Sequence, residues 1–167
     1  MSARLLQRSI LALTLLAFVC LAQQALAAWS CVPYARSISD IHLQGDAWRW
    51  WDASVGVYQR GKKPTVGSVL VFKRSPIMRR GHVAVVRSVE GTRKILVDHA
   101  NWSRSGRIET QVAVVDISPG NDWSQTRVWH SPSRTLGSTI YQTAGFIYPE
   151  HASSASLDKK PRNAHPL

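Results

Sequence analysis

Gly81-His82-Val83-Ala84-Val85-Val86-Arg87-Ser88-Val89, then Glu90-Gly91, then Lys94 to Asn101, reads as two strands joined by a turn. The first run is continuously apolar and rich in valine, the mark of a strand buried on both faces. If Glu90 and Gly91 are the two turn residues, Val89 faces Thr92 and paired residue numbers sum to 181. His82 then lies opposite His99, with Cβ atoms about 4.5–5.5 Å apart. A slip of two would set Asn101 there instead. His99 and Asn101 share a face with Ile95 and Val97, because strand side chains alternate. An even sum would bring Asp98 or Ala100 opposite His82.

Upstream, Val66 to Phe72 is expected as another strand, entered at Gly67, with Val69 and Val71 on one face and Leu70 and Phe72 on the other. Lys73 to Arg80 is basic and contains Pro76, so it reads as a loop. Further back, Ser30-Cys31-Val32-Pro33-Tyr34-Ala35-Arg36 opens a helix. Ser30 suits the N-cap, Pro33 the first turn, and Val32, Ala35, Ile38 and Ile41 recur at near-helical spacing. Cys31 would sit at the helix N-terminus, where unpaired N–H groups and the dipole favour thiolate. Gly45 ends this segment, and Asp46 to Ala53 reads as a second short helix. Its Trp48, Trp50 and Trp51 either pack on the core or line a groove.

Downstream, Val112 to Ile117, Thr126 to Trp129 and Gly145 to Tyr148 read as further strands. Residues 150–167 carry no apolar period and read as a disordered tail.

Arg4 and Arg8 precede the apolar run Ile10 to Ala22, and Ala25-Leu26-Ala27 follows as a small-x-small site. This is the pattern of a signal peptide ending at residue 27, too short for a comfortable span, so export to the periplasm or the exterior is expected without stable membrane insertion. Processing there removes Cys20 and leaves Cys31 as a lone thiol in an exported domain. That suggests a reactive group or an intermolecular bridge. The 167-residue chain has 21 Lys+Arg against 10 Asp+Glu, a formal charge of +11 that falls to about +9 without Arg4 and Arg8. Basic exported proteins meet anionic surfaces and polymers. The basic residues are scattered and no nucleic-acid-binding motif is visible, so an envelope polymer is the expected partner rather than nucleic acid.

Cysteine catalysis needs a base beside the sulfur and a group that orients the base. Cys31, His82 and either His99 or Asn101 supply those types. A zinc site would need His82, His99 and Asp98 together; no ligand spacing of that kind stands out, and no metal or cofactor is expected.

Cys31-Val32-Pro33-Tyr34-Ala35, Gly45-Asp46-Ala47-Trp48, Pro64 to Phe72, Gly81 to Val86 and His99-Ala100-Asn101-Trp102 together resemble a CHAP domain, of the cysteine- and histidine-dependent amidohydrolases and peptidases in the NlpC/P60, papain-like group. The resemblance runs from about Trp29 to Pro149, giving a catalytic domain over residues 28–149. It implies an α+β, papain-like fold, with an N-terminal helix carrying the nucleophile packed on an antiparallel sheet. It also implies an exported hydrolase of peptidoglycan amide bonds, amidase or endopeptidase, working through a cysteine thioester without a cofactor. Cys31 matches the family nucleophile and His82 the base. The third polar position, often Glu in CHAP domains and His in NlpC/P60 relatives, falls on His99, two residues before Asn101. Trp48 and Trp102 are candidate substrate contacts, and a monomer is expected. The alternative is a non-catalytic, cationic envelope-binding module built on the positive charge and Trp48, Trp50, Trp51 and Trp102; it would need neither Cys31 nor His82.

Overall fold

The computed structural model describes residues 29–151, with the side chains of residues 150 and 151 left aside. The expected signal peptide lies outside the described residues; of the tail expected over residues 150–167, the first two residues end the last strand and the rest lies outside the described residues. The elements are α1 (Cys31–Ile38), a 3₁₀ turn (Ala47–Arg49) and α2 (Trp50–Ala53). Eight strands follow: β1 (Tyr58–Gly61), β2 (Val69–Phe72), β3 (His82–Val89), β4 (Lys94–Ala100), β5 (Ile108–Asp116), β6 (Gln125–His130), β7 (Thr135–Leu136) and β8 (Tyr141–His151).

The sheet runs β1-β8-β2-β3-β4-β5-β6-β7, and β6 also pairs with β8. Every pairing is antiparallel. The β6–β8 contact, Gln125 on Gln142 and Thr126 on Tyr141, closes six strands into a barrel. This corrects the expected fold class. The protein is mostly β, a closed six-stranded barrel with two short helices, and not an α+β papain-like fold with an N-terminal helix. The closing strands pair through polar residues, so hydropathy gives no sign of them.

Closure separates two apolar clusters. Inside the barrel lie Leu70, Phe72, Ala84, Val86, Ile95, Val97, Val112, Val114, Trp123, Val128 and Phe146. Outside it, Val69, Val71, Val83, Val85 and Ile147 meet Ala35, Ile41, Ala47 and Trp50 from the N-terminal segment. The strands between these clusters are apolar on both faces, and all four β2 residues are fully buried. Each valine or leucine so removed from water contributes roughly 1.5–3 kcal/mol before entropy is counted.

The helical segment departs from expectation in detail. α1 ends at Ile38, and Ile41 is buried beyond it. Ser30 has the extended backbone of an N-cap but makes no side-chain cap bond. Of the three clustered tryptophans, Trp50 is fully buried, whereas Trp48 and Trp51 are half-buried beneath Arg49, Arg74 and Arg60. The 3₁₀ turn docks closely on the start of β3, and Trp48 N–H donates to the Arg80 carbonyl. Gly81 permits this approach: its φ is +66°, and a Cβ there would sit 2.7 Å from Trp48 N.

Candidate active site

Cys31 is the first residue of α1, half-buried where that helix packs against β3 and β4. Burial pushes its thiol pKa above the ordinary 9.0, although backbone N–H groups of Val83, Val32 and Cys31 itself favour the thiolate. The expectation of a populated thiolate is therefore corrected: desolvation outweighs the helix end.

His82 opens β3 inside the barrel mouth and is 4% exposed. It packs edge-on to Phe72, its partner on β2, and to Trp102. Its Nε2 lies 3.1 Å from Nδ1 of His99, in a hydrogen bond. His99 is 1% exposed and stacked on Trp102, with centroids 5.3 Å apart. Burial, and then the charge of His99, holds the His82 pKa well below 6.5. Burial lowers that of His99 to about 4, against the opposing pull of Glu109 and Asp98. Both rings are neutral at neutral pH.

The histidines meet, but not in the register that the two-residue turn gives. The connection is longer, with Glu90 N–H donating to the Lys94 carbonyl. Ser88 faces Leu96 and Val89 faces Ile95, so paired numbers near the turn sum to 184 rather than 181. Left unbroken, that register would turn His82 toward the face of Asp98 and Ala100. A bulge at Arg87 intervenes, and Val86 then faces Val97 and Val85 faces Asp98, a sum of 183. This returns His82 to the face of His99, which it reaches on the diagonal.

A second bulge lies across β4 and β5. Val97 faces Val112, but His99 faces Glu109, leaving an extra residue on β5 where Gln111 has φ +54°. Without it Thr110 would oppose His99 and Glu109 would turn to the other face. One carboxylate holds both irregularities. Asp98 accepts from Arg87 Nε at 2.7 Å and from Gln111 N–H at 2.8 Å. It is thereby committed away from His82 and His99, and the three do not converge as metal ligands would.

Asn101 behaves differently from His99. Its φ is +62°, and its amide oxygen accepts from Gly106 N–H at 2.9 Å, which shapes the loop after β4. It borders the cleft, while His99 holds the His82 ring. Cys31, His82, Asn101 and Trp102 line one cavity of about 890 Å³, together with Asp46, Arg79, Arg80, His130 and Tyr141. Trp102 forms part of its wall, stacked on His99 and packed against His82 and Tyr141. Trp48 does not line it; its neighbours Asp46 and Ala47 do.

The model of the CHAP domain family matches residues 23–101. Over that stretch the chain is similar to a CHAP domain. The match takes in Cys31, His82, His99 and Asn101, and stops before β5. CHAP domains mark a peptidoglycan-associated family of cysteine- and histidine-dependent amidases and peptidases, which implies peptidoglycan as substrate. No curated protein matches the chain. Among the described residues no helix is long and apolar enough to cross a membrane. Beyond the CHAP match the sequence points to Trp102 but not to His130 or Glu109. His130 reads as an ordinary solvated histidine, and Glu109 comes inward only through the β5 bulge.

Proposed function

We propose that the protein is an exported hydrolase that cleaves amide bonds of peptidoglycan through a thioester on Cys31. The observation that carries this reading is the cleft shared by Cys31 and a buried, neutral His82 whose Nε2 is fixed by His99. With Nε2 engaged, Nδ1 is the nitrogen of His82 left for proton transfer.

Thiol and imidazole both start neutral. As sulfur attacks the amide carbon, the thiol proton passes to His82 Nδ1. The carbonyl oxygen gains charge beside the N–H of Cys31, which has no intrahelical acceptor in the first turn. The C–N bond breaks and the Nδ1 proton goes to the leaving amine. Water then loses a proton to Nδ1 as its oxygen bonds to the thioester carbon. The C–S bond breaks, and the proton returns to sulfur.

Mass spectrometry of fragments released from purified peptidoglycan tests the proposal and identifies the bond. Cys31→Ala should release none while keeping the wild-type fold. Undiminished release by that variant overturns the cysteine mechanism. Wall binding without release by the wild-type protein would favour the cationic binding module instead.

A further inference from the structure

We propose that Glu109 is a positioning residue that fixes the proton arrangement of the His82–His99 pair, an inference that rests on the cysteine mechanism above. Glu109 and His99 are directly paired across β4 and β5, so their side chains share one face. The carboxylate is 6% exposed, and each of its oxygens is held: one accepts from Ser103 N–H and the other from the Ser131 hydroxyl, both at 2.9 Å. These bonds, with a contribution from His99, outweigh burial and keep its pKa below the ordinary 4.5, so it is a fixed negative charge. His99 Nε2 is fully buried and has no hydrogen-bond partner among the described residues.

The tautomers follow in order. A negative charge on the β5 side of His99 favours the proton on its Nε2. Nδ1 of His99 is then a lone pair and must accept from His82 Nε2–H across the 3.1 Å bond. His82 in turn presents an unprotonated Nδ1, which is what a base for Cys31 requires. The opposite arrangement would put a proton on His82 Nδ1 and leave no base. Other carboxylates nearby are taken: Asp98 by Arg87 and Gln111, and Asp116, at the far end of β5, by Ser118 and Arg93. The groups facing His99 are therefore His82 from β3, Glu109 from β5 and Trp102 from the loop after β4.

Glu109→Gln tests this with little change in shape, since the amide can accept from Ser103 N–H and donate to Ser131 Oγ. Long-range ¹H–¹⁵N spectra of the histidine rings in the full chain, near neutral pH, report each tautomer directly. In wild type both His82 and His99 should carry the proton on Nε2. In Glu109→Gln, His99 should lose that preference, and kcat on soluble peptidoglycan fragments should fall roughly 10- to 10³-fold with KM almost unchanged; trapping a catalytic histidine in the wrong tautomer can cost about 10⁴. Glu109→Asp, which keeps the charge, should recover part of both. An unchanged His99 tautomer in Glu109→Gln overturns the proposal, whether or not turnover falls. An active Cys31→Ala overturns the cysteine mechanism instead, and leaves the tautomer measurement standing.

Discussion

A proton count decides how Cys31 and His82 can work together. Burial raises the thiol above 9.0 and holds the imidazole well below 6.5, so across the interval between them the pair carries a single shared proton, on sulfur. This form has the protonation that catalysis needs. The profile of kcat/KM against pH should show a broad plateau, with its acid limb below 6.5 and its alkaline limb above 9.0. Iodoacetamide should alkylate resting Cys31 more slowly than a free cysteine at a pH of about 6. Fast alkylation there, with a thiolate signal in the ultraviolet, would show an ion pair instead. The third residue separates by contact. His99→Ala removes the bond to His82 Nε2 and should lower turnover by roughly 10²–10⁴. Asn101→Ala loosens only a loop and should cost much less. Partial rescue by His99→Glu is not expected, because the new carboxylate would be buried opposite Glu109.

At the scale of strands, the site depends on two one-residue irregularities fastened by Asp98. Arg87 and Gln111, the residues at the two bulges, both bond to it. Asp98→Ala leaves the Gln111 N–H and the Arg87 guanidinium without this partner and should destabilise the fold by about 1–3 kcal/mol. If the bulges relax, His82 and His99 no longer share a face, so turnover should fall further than the loss of folded protein explains. Equilibrium unfolding and kinetics on the same samples check this. A variant with normal turnover per folded molecule would show that the bulges hold without Asp98.

The same feature shows how far the sequence could be read. The valine runs of β2 and β3 identify buried strands, and the alternation in β4 groups His99 with Asn101, because these patterns extend over many residues. A bulge occupies one position and carries no compositional mark, and neither does a longer connection, so a pairing sum of 181 misses the observed 184 and 183, although the two histidines do meet. β1 and β7 are too short to carry such a pattern. The fold class is not legible because the motifs that carry the resemblance end at Trp102, whereas closure is made by β5, β6 and β8.

For the whole molecule, two histidines buried in the neutral state tie stability to pH. Their folded pKa values lie below the unfolded 6.5, so the unfolded chain binds protons more readily. The stabilisation is complete above 6.5 and is lost as pH falls toward about 4, the value for His99. Tm should drop across that window, and His99→Leu should flatten the slope. An unaltered slope in that variant would place the acid sensitivity elsewhere.

Closure through β6 and β8 also bears on how the gene product could be cut or borrowed. Residue 101, where the family match stops, is not a seam between folding units. A fragment ending there would leave the outer side of β4 as a row of unpaired N–H and C=O groups beside an opened apolar interior. Such an edge is a template for other chains. That fragment should accumulate as β-rich aggregates, whereas one ending at residue 151 should remain dispersed in solution; sedimentation of the two side by side would tell. Grafting this unit onto another protein therefore requires carrying all six barrel strands.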